Sequence, residues 1–228
     1  MNLNKISIII PTLNEEPNIL GVLKPLQVLR HSGLEIILVD GGSTDATVPT
    51  AENLVDSLIS APPGRARQMN TGARYATGEF LLFLHADSLL PDNAANLIIE
   101  TLQKKQHQWG RFNIKLNGKS RLLRVVEFMM NVRSRLSGIA TGDQGIFITR
   151  ACFNQIGGYP DIPLMEDVAL SKTLKERVGR PACLKDTILT SSRRWENNGI
   201  LSTVLLMWRI RIAYFFGTDP GKLAKRYQ

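Results

Sequence analysis

Cysteine is scarce in this chain, with two residues, Cys152 and Cys183, among 228. They stand far apart and lack the paired spacing of a zinc site, so a disulfide scaffold and a structural metal are both disfavoured. Free thiols in a reducing compartment are the expectation. Long apolar runs are missing too. The stretch 200–208 is apolar, but Arg209 and Arg211 stop it short of the ~18 residues that span a bilayer. At the other end, the apolar run 6–10 is too short for the core of a secretory signal. The expectation is a cytoplasmic protein, free or peripheral at the inner face of the membrane. Acid is under-represented: 20 Asp+Glu face 28 Lys+Arg, a net charge of +8. That balance favours anionic partners such as nucleotides, phosphate esters or acidic lipid. No internal repeat, low-complexity tract or linker interrupts the chain, and its length suits one domain covering 1–228.

What is present is an alternation of strand and helix patterns. Residues 6–10, 34–39, 58–60 and 80–84 read as strands, separated by helical spacing over 18–29, 47–55 and 64–76. Pro49 places the start of the second helix near Thr47, because proline is tolerated only in a first turn. Such alternation implies an α/β fold with a mostly parallel sheet covered on both faces. The second half is less regular. It reads as helices over 93–105, 122–136, 165–178 and 200–216, with strands over 111–116 and 145–149.

Three of the strands run directly into acidic or polar turns. The first enters Pro11-Thr12-Leu13-Asn14-Glu15-Glu16, where Pro11 ends the strand and Asn14 suits a helix N-cap. Free backbone N–H groups at such a start suit a ligand's oxygen atoms. The second ends at Asp40, followed by Gly41-Gly42, which allow close backbone approach. A carboxylate there can accept a hydrogen bond from a base or ribose, while Ser43-Thr44-Asp45 serve the next helix start. The G-x-G-x-x-G spacing of a dinucleotide fold is absent. The third strand delivers His85-Ala86-Asp87. In open α/β sheets this carboxyl edge is where ligands sit, and three acidic strand ends suit a nucleotide and its metal. Arg65 and Arg67, in Gly64-Arg65-Ala66-Arg67-Gln68-Met69-Asn70, stand at a helix N-terminus, where the helix dipole disfavours cations. Arginine tolerated there points to a nearby anion, for instance a diphosphate.

Taken in order, P-x-x-N-E from Pro11, the V-D-G-G-S-T-D turn, the Asp87 strand end and the Glu166-Asp167 pair resemble the inverting glycosyltransferases of family 2, which have the GT-A fold. The resemblance runs from residue 6 to about residue 195. His85-Ala86-Asp87, Gly142-Asp143-Gln144-Gly145 and Arg193-Arg194-Trp195 are similar to a small bacterial single-domain subgroup whose acceptors are poorly assigned. The resemblance implies a nucleotide-sugar-binding half in 1–115 and an acceptor-binding half with the C-terminal helix in 116–228. Asp40 would receive the uracil ring, and Pro11, Thr12, Asn14, Glu15 and Gly41 would line the nucleoside pocket. Arg65, Gln68 and Asn70 would approach the nucleotide. Asp87 takes the place of the last acid of the D-x-D motif, which holds a divalent cation, Mn²⁺ or Mg²⁺, bridging the diphosphate. His85 departs from the motif: it is either a second metal ligand, which Mn²⁺ accepts more readily than Mg²⁺, or a hydrogen-bonded site histidine. Asp167, with Glu166 beside it, matches the family's base, which removes the acceptor's proton as its oxygen attacks C1 of the sugar. Gly142, Asp143, Gln144, Arg194 and Trp195 would line the acceptor side. Residues 191–195 stand where processive synthases have Q-x-x-R-W. The glutamine is missing, so processive synthesis is not expected.

The resulting expectation is metal-dependent, inverting transfer from a UDP-sugar to an unidentified acceptor. A sugar-phosphate nucleotidylyltransferase would need a glycine-rich phosphate loop at the first strand, and 12–16 contains no glycine. A nucleic-acid binder would need a basic face interleaved with aromatics; here the arginines are scattered and acids occupy the strand ends. Helices 122–136 and 200–216 carry apolar faces beside Arg121, Arg124, Arg133 and Arg135, and beside Arg209 and Arg211. Such faces suit the headgroup region of an acidic membrane and a lipid-linked acceptor. The competing reading packs both helices on the sheet or in a homodimer.

Overall fold

A computed structural model describes residues 6–227; residues 1–5 and 228, the two ends of the expected domain, lie outside it. The chain alternates β1 (Ile6–Thr12), α1 (Glu16–His31), β2 (Glu35–Asp40), α2 (Thr47–Ala51), β3 (Ser57–Ser60), α3 (Arg65–Tyr75) and β4 (Phe80–Phe83). It continues through β5 (Ser88–Leu89), α4 (Ala94–Ile99), β6 (Trp109–Leu116), α5 (Arg121–Ser137), β7 (Ile146–Thr149) and α6 (Arg150–Ile156). Then follow α7 (Glu166–Arg177), β8 (Ala182–Thr190), α8 (Arg193–Asn197), α9 (Ile200–Phe215) and α10 (Pro220–Tyr227).

All strands described join one sheet in the order β3-β2-β1-β4-β7-β6-β8-β5. The β3-β2-β1-β4 side is parallel, β7 runs antiparallel to both β4 and β6, and β8 returns parallel to β6. The α/β, mostly parallel reading of the first half therefore stands. Central parallel strands are covered on both faces and so read as continuous apolar runs. Within β1, Ile8 and Ile10 pack towards Ile19, Leu23 and Leu26 of α1, whereas Ile9 joins Met69 and Ala73 of α3. Helix α3 lies close on the sheet because residue 72 is glycine. A Cβ there would stand 2.4 Å from Ile9 Cγ2.

The sequence reading overshot in two helices. The pattern over 93–105 keeps α-helical geometry only to Ile99 and finishes as a π-turn, Glu100–Lys104. That over 47–55 is α-helical for five residues and then tightens into the 3₁₀ turn Glu52–Leu54. Other elements were missed: the nine-residue β8 and the shorter β5, α6, α8 and α10. Strand β8 mixes Lys185 and Asp186 into its run and is mostly half-buried, so it shows no clean alternation; its pairing with β6 shifts register between Arg111 and Asn113. Cys152 and Cys183 are both free thiols. No helix among the described residues is long and apolar enough to cross a membrane.

Helices α5 and α9 pack inward through Leu123, Val126, Val204 and Ile210. Their outward faces keep Leu122, Val125, Phe128 and Leu136, and Leu201, Leu205, Trp208, Ile212 and Phe215, exposed to solvent. The inward faces thus pack in the core as the competing reading expected, and the outward faces have no cover among the described residues.

Candidate active site

A cavity of about 240 Å³ opens beyond the carboxyl end of β4. Part of its lining is polar. The turn after β4 delivers His85 and Asp87, the start of α3 delivers Arg65, the start of α7 delivers Glu166 and Asp167, and the 3₁₀ turn 142–144 delivers Asp143. Apolar lining comes from Met129 and Met130 of α5 and Met207 and Trp208 of α9. Residues far apart in sequence meet here because β4 and β7 are neighbours in the sheet.

The charges of the polar lining are interlocked. Much of Arg65 is accessible through the cavity, yet its guanidinium is ringed by protein groups. Burial alone would lower its pKa; the charges of Glu166, then Tyr227, Asp167 and Asp87, more than offset this and raise it. Glu166 is 5% exposed. Burial and the neighbouring Asp167 push its pKa up to about 7, against the opposing pull of Arg65. Glu166 therefore holds its proton more firmly than a free carboxyl group does. The Asp167 carboxylate is aimed by two backbone donors, Gly142 N–H at 2.8 Å and its own helix's Val168 N–H at 2.7 Å. Met165, just before this pair, holds a left-handed φ of 68°. A non-glycine residue in that region stores strain of the kind found at functional sites.

His85 is held neutral by burial and by Arg65, with Asp87, Asp143 and Asp167 acting the other way. Its Nε2 lies against the backbone of Gly142, where a Cβ would come within 2.4 Å. That contact explains the glycine of the Gly142-Asp143-Gln144-Gly145 turn. Among the described residues no group of three or more His, Cys, Asp or Glu could enclose a metal ion. Asp87 does suit an open cation site. Its Oδ1 accepts from Ser88 Oγ at 3.2 Å and lies 3.5 Å from Thr190 Oγ1, while Oδ2 takes no hydrogen bond from the described residues. Mg²⁺-like ions are commonly held by one or two carboxylates with substrate phosphates completing the shell.

The nucleoside-side residues gather apart from the cavity, at the carboxyl ends of β1 and β2. Asn14 is not the N-cap. It takes a left-handed φ of 54° and its Oδ1 accepts from Thr44 N–H, while Glu15 occupies the cap position without a side-chain bond. Nor are the N–H groups free: those of Asn14, Glu15 and Glu16 donate to Ser43 Oγ, Thr47 Oγ1 and Asp45 Oδ2. The two turns brace one another instead. The Asp40 carboxylate accepts from the N–H groups of Gly42 and Ser43 and from Ser43 Oγ. Pro11 and Thr12 are buried, and Gln68 Nε2 bridges the carbonyls of Thr12 and Val39 at 2.7 and 2.8 Å beside Gly41. The Asn70 amide pairs with both backbone groups of Tyr159. Gln68 and Asn70 thus clamp the fold, and their amides do not project into the cavity. Glu15 reaches towards Arg193, 3.8 Å away at the start of α8, which ties this pocket to the cavity rim.

Of the residues expected to line an acceptor side, Gly142, Asp143, Arg194 and Trp195 line the cavity, but Gln144 is fully buried and closes its own turn as a capping box. Arg67 has its anion in the protein, pairing with Asp161 at 2.8 Å. Arg194 stacks over the Tyr227 ring at 3.7 Å and donates to that residue's carbonyl. Sequence reasoning did not place Tyr227, Met130 or Thr190 in the site: Tyr227 and Thr190 belong to elements it had not drawn, and Met130 to a helix face it gave to a membrane surface, the sheet or a homodimer.

Residues 7–151 match the profile described as glycosyl transferase family 2. The chain belongs to glycosyltransferase family 2. A PGL/p-HBAD biosynthesis glycosyltransferase of Mycobacterium bovis is 42% identical over 91 residues, covering 37% of this chain and 36% of that protein. A poly-beta-1,6-N-acetyl-D-glucosamine synthase of Staphylococcus epidermidis is 26% identical over 187 residues, 73% of this chain and 44% of that one. The matches thus span less than half the length of these relatives. Among solved structures, S. aureus TarS in complex with UDP-GlcNAc superimposes with a TM-score of 0.66 at 21% identity, covering 82% of this chain and 58% of that chain. The mannosyltransferase PcManGT from Pyrobaculum calidifontis, with GDP-Man and Mn²⁺, gives a TM-score of 0.66 at 23% identity, covering 92% and 61%. These likenesses show the GT-A fold. Family 2 membership sets aside the nucleotidylyltransferase and nucleic-acid-binding readings.

Proposed function

We propose that this family 2 chain moves a sugar from a nucleoside diphosphate donor, a UDP-sugar, to an acceptor hydroxyl with inversion at the anomeric carbon, and that it needs a divalent cation. The observation that carries the reading is the meeting of Asp87, Arg65 and the Glu166–Asp167 pair in a single cavity whose lining is otherwise largely apolar. UDP and GDP-sugar complexes of fold neighbours, with Mn²⁺ in one of them, support the donor class and the cation.

Asp40, with Thr12 and Glu15 beside it, receives the base, and Arg65 faces the diphosphate from the helix start. Asp87 would hold Mn²⁺ or Mg²⁺, with neutral His85 as a neighbouring donor, and such a cation would supply positive charge against the charge growing on the leaving diphosphate. Asp167 takes the acceptor's proton as the hydroxyl oxygen bonds to C1, while the bond from C1 to the diphosphate oxygen breaks and its electron pair leaves with UDP. Protonated Glu166 adds no competing negative charge near that oxygen. The exposed apolar faces of α5 and α9, with Arg121, Arg124, Arg135 and Arg209 around them, seat the protein on an anionic lipid surface, from which a lipid-linked acceptor reaches the cavity.

Calorimetric titration of UDP with Mn²⁺ and with chelator tests the donor site. Binding should be strong with Mn²⁺ and weak with chelator, and Asp87→Ala should lose the difference. Equal affinity under both conditions would sink the metal role.

A further inference from the structure

We propose that Arg133 and Arg211 form a subsite for a phosphoryl group carried on an apolar acceptor. The inference rests on the glycosyl-transfer reading above and names the chemistry of its acceptor. The two arginines line the cavity from different helices, α5 and α9. Arg133 Nε and Nη2 and Arg211 Nε are buried with no acceptor among the described residues. The ion pairs present among those residues involve Arg30, Arg67, Lys105, Arg124 and Arg193, not these two.

A buried, unpaired cation is costly, and two side by side are costlier. Burial, and next the charge of Arg211, push Arg133 down to about 10. Asp143 and Asp167 face the pair and pull the other way. Each is already engaged, Asp143 by Thr141 Oγ1 at 2.5 Å and Asp167 by the two backbone N–H groups described above. Paired guanidinium forks match phosphate oxygens in geometry. Two cations also match the roughly −1.5 to −2 charge of a phosphate monoester better than the single charge of a carboxylate.

What the phosphoryl group is attached to follows from the surrounding wall. Met129, Met130, Met207 and Trp208 offer soft, adaptable apolar contact. Met129 is 45% and Trp208 55% exposed, so both also belong to the outward faces of α5 and α9. An apolar tail can therefore leave the cavity along that surface. In the glycosyl-transfer reading the donor's diphosphate is met by Arg65 and Asp87 and has no need of this pair.

Titration of the full chain with hexyl phosphate, inorganic phosphate and hexanoate tests the subsite by calorimetry, alongside UDP with Mn²⁺. Hexyl phosphate should bind at least tenfold tighter than either of the others. R133M and R211M should each weaken it at least tenfold, leave the UDP affinity unchanged, and melt no lower than wild type. If R133M does not fold, R133K, which keeps the charge without the fork, should still bind hexyl phosphate more weakly than wild type. The proposal is overturned if wild type ignores hexyl phosphate at millimolar concentration, if the folded variants bind it as wild type does, if inorganic phosphate binds equally well, or if UDP affinity falls in parallel. Failure of wild type to bind UDP would instead overturn the donor reading, and the hexyl phosphate titration would still be readable.

Discussion

At the scale of single residues, the site holds two adjacent carboxyl groups in unlike surroundings. Asp167, aimed by two backbone donors, is the group proposed to take the acceptor's proton. Asp167→Asn keeps the shape and the two incoming N–H contacts are lost or reversed only at one atom, so UDP binding should survive. Turnover, followed as UDP release from the donor, should fall ~10²–10⁴-fold, the usual contribution of a general base. A variant that kept more than about a tenth of wild-type turnover would remove Asp167 from that role. Glu166 carries a second, independent signature. Its folded pKa of about 7 lies above the ordinary 4.5, so the folded state holds the proton more firmly than the unfolded one. The associated stability is complete below pH 4.5 and is lost as pH rises through 7. Glu166→Gln cannot titrate. Between pH 5 and pH 8 it should therefore gain about 1–3 kcal/mol of stability relative to wild type, measured by urea unfolding at each pH. Parallel pH profiles for the two proteins would contradict the assignment.

At the scale of elements, α5 and α9 each do two things. Their inner faces carry Leu123, Val126, Val204 and Ile210 into the core, and their outer faces leave large apolar side chains such as Phe128 and Phe215 at 67% and 84% exposure. Exposed apolar area of this extent on neighbouring helices marks an interaction surface. Arginines around it add attraction to acidic lipid of ~1 kcal/mol per basic residue near the surface. Flotation with vesicles containing anionic phospholipid should carry the protein upward at low salt. The double variant Phe128→Glu/Phe215→Glu should stay at the bottom while retaining UDP binding. Absence of flotation, with a dimer in solution that the same variant dissociates, would give the surface to a second copy of the chain instead.

At the scale of the whole molecule, the cavity draws on both halves of the chain: Arg65, His85 and Asp87 from the first, and Asp143, Glu166 and Asp167 from the second. One continuous sheet joins them. Unfolding should therefore be a single cooperative transition. UDP with Mn²⁺ at about a hundred times its dissociation constant should stabilise the entire fold by about 2.7 kcal/mol. Calorimetric scans with and without chelator check this. Two transitions, only one of them responding to UDP, would show that the halves fold separately.

Sequence alone determined the parallel side of the sheet, the acidic turns that follow its strands and the helix start at Glu166–Asp167. These are local signals: a strand buried on both faces must be apolar along its whole length, and a polar turn must interrupt it where the chain leaves the sheet. It also carried the family resemblance, because Asp40, Asp87 and Asp167 keep their order along the chain. The tertiary structure alone decided which polar side chains remain available. Gln68 and Asn70 look like ligand-binding amides in sequence, but backbone carbonyls from other segments engage them, since buried polar groups must find partners. Asn14 looks like a cap and is instead a left-handed turn residue bonded across to Thr44. Strand β8 has no period of its own because its environment is set by β6 and β5, and Tyr227 enters the cavity only because α10 folds back onto Arg194. The pairing of Arg133 with Arg211 was equally invisible. Each arginine reads as one more basic residue on an amphipathic helix, and only the packing of α5 beside α9 turns the two towards the same space.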